Sequence, residues 1–278
     1  MKMLSYDYVK CTGLSEAVDI LAKEEQAYPY AGGTDLMVGM RGGKFAPKKL
    51  VDVKDLPELN VFEENDQGII IGAAITLNQI ACDDSIVKNI PILAEGSHSV
   101  GGYTIRNRAT LAGNICNASP AADTAAPLYT LEALINIAGP DGNRSLPVEE
   151  FFTGPGQTAL KKGELVQSIV IPRPFPAGKG VYSKASRTGS VDLATVGVAV
   201  QNWGEHVKIA VGAVAATPVR ALSVEKAINE KGEKSSAEAA KLVHNDIAPI
   251  TDIRGSREYR YHMVEVLVRR GLEQTMGV

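Results

Sequence analysis

The chain is poor in the residues that build metal centres and disulfide frameworks. Its three cysteines, Cys11, Cys82 and Cys116, are far apart and lie in no Cys-x-x-Cys pattern. An odd, dispersed set argues against a disulfide scaffold and against a protein-borne zinc or iron–sulfur site, and all three thiols are expected to pack as small buried hydrophobes. His98, His206, His244 and His262 show no ligand spacing either, so no metal site is expected. Basic residues are outnumbered, 29 to 32, for a net charge of −3, which leaves no basic footprint for nucleic acid. No apolar run approaches the roughly 20 residues that span a bilayer. The N-terminus, Met1-Lys-Met-Leu-Ser-Tyr-Asp-Tyr8, has no apolar signal-peptide core, and a cytoplasmic protein is expected.

What remains is an ordinary globular composition, 45% hydrophobic and 22% charged over 278 residues, long enough for one to three domains. Residues 14–23 carry apolar side chains at helical spacing, with Ser15 as N-cap. A strand over 28–31, a tight Gly-Gly turn and a helix starting near Thr34 follow, then a strand over 51–53. Residues 69–74 read as a short apolar strand, Thr76 as the cap of the next helix, and Pro91 as the start of a helix towards His98. Residues 134–138 and 144–148 flank the turn Gly139-Pro-Asp-Gly142 as a hairpin, and 165–171 read as a strand. Pro172-Arg-Pro-Phe-Pro-Ala-Gly-Lys-Gly180, with three prolines and two glycines, is the best linker. Strands over 194–201 and 207–214 and helices beginning near Ser236 and Ser256 complete the chain. The last helix is expected to present Tyr259, Met263, Val266 and Leu267 on one face. Strands and helices in separable blocks argue for α+β.

Two segments carry the chemistry. Thr104-Ile-Arg-Asn-Arg-Ala-Thr-Leu-Ala-Gly-Asn-Ile-Cys-Asn-Ala-Ser-Pro-Ala-Ala-Asp123 combines small residues and hydrogen-bond donors with almost no bulk after Arg108. Thr110, Gly113, Asn114, Asn117 and Ser119 can present donors to a diphosphate, and Ala112 and Gly113 let backbone approach a ligand closely. Asp123 can accept hydroxyl groups of a ribose or ribityl chain, or else cap a helix through Asp123-Thr-Ala-Ala-Pro-Leu. Arg106 and Arg108 can pair with phosphates or, alternating along a strand, point to solvent. The second segment, Ala31-Gly-Gly-Thr-Asp-Leu36, offers successive backbone N–H groups that can form an anion nest. No Gly-x-Gly-x-x-Gly follows a strand, so a Rossmann site is not supported.

Together and in order, these motifs resemble the FAD-binding (medium) subunit of the molybdenum hydroxylases, the family that contains xanthine dehydrogenase and aerobic carbon monoxide dehydrogenase. The resemblance runs from Tyr6-Asp7-Tyr8 through both segments to Phe151-Phe-Thr-Gly-Pro155, Ser168-Ile-Val-Ile-Pro172 and Tyr182-Ser-Lys-Ala-Ser-Arg187. It implies a two-part, PCMH-type FAD-binding domain over 1–172, with subdomains of about 1–55 and 56–172. A linker over 173–180 and a C-terminal α/β domain of the CO-dehydrogenase flavoprotein type over 181–278 would follow.

The resemblance also implies roles. FAD would lie extended, its diphosphate held by Ala31, Gly32, Gly33, Thr34, Asp35 and Leu36 on one side. On the other side stand Thr110, Ala112, Gly113 and Asn114, with Cys116 and Asn117 nearby. Val100, Gly101 and Thr104 would approach the isoalloxazine or its ribityl arm, Asp123 would bond FAD hydroxyls, and Val166 would lie on the adenine side. Lys184 would neighbour the flavin and stabilise its reduced anion, or else be a solvated surface lysine. Relatives commonly have two glycines where this chain has Ala112-Gly113, so a methyl replaces hydrogen at one backbone contact. The implied partners are a molybdopterin-binding large subunit and a small subunit with two [2Fe–2S] clusters, and a dimer of such heterotrimers is among the assemblies it allows. Electrons would pass to NAD⁺ or another acceptor, with no catalytic side chain in this subunit. A stand-alone flavin oxidoreductase and a non-catalytic scaffold with a degenerate site are the competing readings.

Overall fold

A computed structural model describes residues 5–189, 191–230, 232–233 and 235–277. The first layer is a three-stranded parallel sheet of order β1-β3-β2, made of β1 (Asp7–Lys10), β2 (Ala27–Tyr30) and β3 (Lys49–Asp52). Helix α1 (Leu14–Lys23) crosses from β1 to β2 and buries Ala17, Val18 and Leu21. Its N-cap is Gly13, not Ser15 as the sequence suggests, and no side chain caps it there. Acidic residues close the end instead: Glu16 accepts from the Thr12 N–H at 2.7 Å, and Glu58 accepts from the Leu14 N–H at 3.2 Å. Helix α2 (Leu36–Arg41) begins two residues after the expected Thr34.

The second layer is an antiparallel sheet of order β4-β5-β10-β6-β7. Its strands begin with β4 (Phe62–Asn65) and β5 (Gly68–Gly72). A run of short helices follows: α3 (Leu77–Cys82), α4 (Asp84–Asn89), α5 (Pro91–His98), α6 (Tyr103–Arg106), α7 (Leu111–Cys116) and α8 (Ala125–Thr130). The hairpin β6 (Leu134–Gly139) and β7 (Gly142–Pro147), helix α9 (Val148–Phe151), the pair β8 (Phe152–Gly154) and β9 (Gln157–Thr158), and β10 (Leu165–Pro172) complete it. Ile69, Ile71, Ile135, Ile137, Ile169 and Ile171 alternate onto one buried face, the period-2 signature of a half-covered sheet. Thr76 caps α3 through a reciprocal capping box with Gln79, which satisfies two end groups at once.

Beyond Pro172–Gly180 lies a four-stranded antiparallel sheet of order β11-β12-β13-β14: β11 (Gly180–Ala185), β12 (Val196–Asn202), β13 (Val207–Gly212) and β14 (Val219–Arg220). Its two faces have different work. Val196, Val198, Val200, Val207, Ile209 and Val211 pack against α10 (Leu222–Asn229), α11 (Ser236–Lys241) and α12 (Arg257–Met276). The alternate positions Ala199 and Ala210 join the core of the preceding sheet and face α8, and Tyr182 joins the same core beside α5. Small side chains there let the two layers dock closely, and the Ala213 N–H reaches the Pro120 carbonyl at 2.6 Å across the junction.

Helix α12 departs from expectation in its buried face. Val264, Leu267, Val268, Gly271 and Leu272 face the sheet together with Arg260, whereas Tyr259 is exposed and Met263 and Val266 are half-buried. Arg260 sets this rotation. Only 2% exposed, it donates to the Thr195 and Ala213 carbonyls at 2.8 and 2.5 Å and to Asp252 at 2.6 Å. A buried cation needs that many acceptors, and a helical pattern scored for apolar residues reads it as solvent-facing. Cys82, expected inside, is exposed, while Cys11 is buried. Arg260→Met strands two carbonyls and takes one of the partners of Asp252 away, and urea denaturation should show a loss of about 3 kcal/mol.

Candidate functional site

All three layers meet around a cavity of about 520 Å³, within the range of small-molecule and cofactor sites. Sixteen of the eighteen residues to which the resemblance gives a cofactor role line it, Ala31 to Leu36, Val100, Gly101, Thr110, Ala112, Gly113, Asn114, Cys116, Asn117, Asp123 and Val166, and so does Ser119. Thr104 does not. It lies exposed on α6, and its neighbour Ile105 turns into the cavity instead.

The loop after β2 is the most telling part. Among the described residues, the backbone N–H groups of Gly32, Gly33, Thr34 and Asp35 make no intrachain hydrogen bond. Successive open donors of this kind suit an anion. Glycine is required at both turn positions: Gly33 has φ of +73°, and a Cβ on Gly32 would stand 2.0 Å from the Arg108 carbonyl oxygen. The loop therefore lies directly on the backbone that leads into α7.

At α7 the donors differ from expectation. The Thr110 hydroxyl caps the helix by accepting the Gly113 N–H at 2.9 Å, and the Asn114 N–H goes to the Thr110 carbonyl at 3.0 Å. Those two backbone groups are already used. The Ala112 N–H has no intrachain acceptor among the described residues, so the open backbone donor sits at the position where a glycine was expected. Ala112 is inside the helix and not among the residues of positive φ, and its methyl imposes no strain. The Asn114 side-chain oxygen Oδ1 accepts the Thr124 hydroxyl at 2.6 Å, which orients the side-chain amide nitrogen.

Arg106 is neither a phosphate ligand nor a solvated residue. It ends a helix rather than alternating along a strand, is 6% exposed, and donates to Asn78 at 3.0 Å and to the Gly101 carbonyl at 2.9 Å. It thus holds the Val100–Gly101 turn, where Gly101 has φ of +49°. Arg108 is exposed.

Asp123 is 4% exposed and does not cap α8, whose N-cap, Thr124, makes no side-chain cap bond. Its carboxylate instead accepts from the Tyr182 hydroxyl at 2.7 Å and from the Lys184 ammonium at 2.9 Å. Burial pushes the carboxyl above its ordinary range, and Lys184 and Tyr182 pull against that shift. Lys184 also donates to the Ser99 carbonyl at 2.9 Å; it stands behind Asp123 rather than in the cavity wall, and it is not a solvated surface lysine.

Several lining residues carry no signal in the sequence. Tyr28 and Phe45 close one end as a tilted pair with ring centroids 5.9 Å apart. Glu164 is held by a bidentate bond to Arg144, both contacts 2.8 Å. Val191, Asp192 and Leu193 overhang from the loop after β11. Only chain return brings that loop here, and no local pattern announces it.

Comparison with known proteins fits this geometry. Residues 4–174 match the FAD binding domain in molybdopterin dehydrogenase, and residues 180–275 match the CO dehydrogenase flavoprotein C-terminal domain. The chain belongs to the medium-subunit family of the molybdenum hydroxylases. It is 33% identical to the glyceraldehyde dehydrogenase medium chain of Sulfolobus acidocaldarius over 97% of this chain and 98% of that one. Identity to the xanthine dehydrogenase FAD-binding subunit of Escherichia coli O157:H7 is 30%, covering 97% and 96%. The corresponding chain in the structure of carbon monoxide dehydrogenase from Hydrogenophaga pseudoflava superposes with a TM-score of 0.92 at 29% identity, covering 100% and 99%.

The residues present fit FAD: open backbone donors for a diphosphate, a glycine turn packed tightly on the Arg108 backbone, and apolar walls from three layers. Cys116 packs into the wall, where burial pushes its thiol up to about 12, and it is inert as a nucleophile. A thiol reagent at pH 8 should therefore label Cys82 in the folded protein and leave Cys116 and Cys11 unmodified until denaturant is added, as read by peptide mass.

Proposed function

We propose that this FAD-binding medium subunit passes electrons from [2Fe–2S] clusters of a small partner subunit to NAD⁺ or another acceptor, in a complex whose large subunit carries molybdopterin. The observation that carries the reading is the cavity itself, with open N–H groups at Gly32 to Asp35 and walls from all three layers. Bound there, FAD supplies a carrier that takes electrons singly and gives them up as a pair. This chain's own residues bind and orient it. The Gly32–Asp35 loop and the Ala112 N–H would hold the diphosphate, the Asn114 amide would donate beside them, and the Val100–Gly101 turn would support the ring system. Lys184 would act on the site by holding the Asp123 carboxylate in place.

On this reading the chain divides into 1–172, a linker over 173–180, and 181–278, and the cavity closes only when the last part docks. Substrate choice belongs to the molybdenum subunit, since relatives named for glyceraldehyde, xanthine and carbon monoxide share this chain's architecture. The Ala31–Asp35 and Asn117–Asp123 motifs support a xanthine dehydrogenase-like enzyme, which on this reading works in the cytoplasm.

The purified chain should show flavin absorption and release FAD, identified by mass, on denaturation. Bleaching by NADH would support a nicotinamide acceptor, and a folded chain that neither retains nor takes up FAD would defeat the proposal. Asn114→Ala removes one donor and should weaken FAD binding by roughly fivefold, about 1 kcal/mol, measured by flavin fluorescence titration.

A further inference from the structure

Tyr182 opens a sequence motif that the cofactor contacts leave unexplained. It lies on β11, two residues before Lys184, so both side chains leave the same face of the strand. That face points away from the valines that pack against α12 and towards the cofactor-binding layers. Tyr182 is held at both ends by those layers. Its N–H donates to Glu95 on α5 at 2.7 Å, and its hydroxyl donates to Asp123 at 2.7 Å.

The neighbouring strand is shaped to admit it. Gly197 on β12 pairs with Lys184, and a Cβ there would stand 2.6 Å from the Tyr182 hydroxyl oxygen. A methyl would thus drive the rigid ring off its carboxylate. Gly212, opposite Gly197 on β13, lies under the Pro120 carbonyl, where a Cβ would be 3.3 Å away. The small residues of this face keep the Asn117–Asp123 segment seated on the sheet, and Tyr182 and Lys184 rise through it to reach Asp123.

We propose that Tyr182 is a positioning residue for the cofactor site, orienting the Asp123 carboxylate from the C-terminal sheet so that FAD affinity depends on how that sheet is docked. The inference rests on the FAD reading above. Asp123 lines the cavity and Tyr182 does not, so Tyr182 acts through Asp123. With both Tyr182 and Lys184 donating, the two carboxylate oxygens are fixed and both partners favour the ionised form against the effect of burial. Loss of the Tyr182 hydroxyl leaves the carboxylate hinged on Lys184 alone.

The test uses the full chain in three forms: wild type, Tyr182→Phe and Gly197→Ala. FAD affinity is measured by fluorescence titration across pH, and the melting temperature is measured without FAD. Tyr182→Phe removes the hydroxyl and Gly197→Ala displaces it, so both should raise the FAD Kd by roughly tenfold. Tyr182 and Lys184 are the titratable groups that face Asp123, and both favour its ionised form. Without the tyrosine donor, Asp123 takes up a proton at higher pH, so the acid limb of FAD binding should move to higher pH in both variants. A purely structural contribution would lower the melting temperature and leave that limb in place. Folded variants whose Kd and acid limb equal the wild type's would overturn the inference while the FAD reading stood. A folded wild type that binds no FAD would overturn both.

Discussion

A carboxyl group at 4% exposure, Asp123, held by two donors, is the constraint around which the molecule is arranged. Removing a charge from water costs several kcal/mol unless partners replace the lost hydration. Those partners do not come from the segment that carries Asp123. They come from β11, nearly sixty residues later, so the pairing can form only when the C-terminal sheet has docked. The glycine and alanine positions of that sheet, the Ala213 bond to Pro120 and the buried Arg260 behind Ala213 all serve the same junction. Cofactor site and layer interface are one construction.

The opposite wall is made by backbone rather than side chains. Gly32 lies against the Arg108 carbonyl with no room for a methyl, which brings the open donors of the Gly32–Asp35 loop beside the Ala112 N–H at the start of α7. A dinucleotide fold places phosphate at one turn between strand and helix. Here the open donors come from two separate turns, after β2 and at the start of α7, and no single glycine fingerprint appears in the chain.

Much of this architecture is legible in the amino-acid sequence. The period-2 isoleucines of the central sheet, the Thr76 cap, the start of α12 at Ser256, whose hydroxyl accepts the Tyr259 N–H at 3.2 Å, the proline-rich connection and both glycine segments are local patterns, and local patterns survive folding. The residues whose place the sequence hides are those whose environment is decided at a distance. Arg106 and Arg260 look like surface cations until carbonyls from other elements surround them. Cys82 looks apolar but ends a short helix at the surface. Ser15 has the chemistry of a cap, yet Glu16 and Glu58 reach that helix end instead. The overhang at Val191–Leu193 has no sequence signature, because its proximity to the cavity is a product of sheet order alone.

The chemistry available inside the cavity follows from how its polar side chains are already committed. Glu164 is clamped by Arg144, Asp192 accepts the Thr188 N–H at 2.8 Å, and Asp123 is shared between Tyr182 and Lys184. The Cys116 thiol stays protonated at neutral pH. A nucleophile needs an adjacent base, and a general base needs a free lone pair aimed at a substrate proton; none of these four groups is arranged that way. Asp35, whose carboxyl burial pushes up against the opposing charge of Lys44, stands beside the open N–H groups of its loop. Such a cavity works by binding, orientation and exclusion of water, leaving electron chemistry to the cofactor it is built to hold. That division lets one medium-subunit architecture serve molybdenum enzymes named for unrelated substrates.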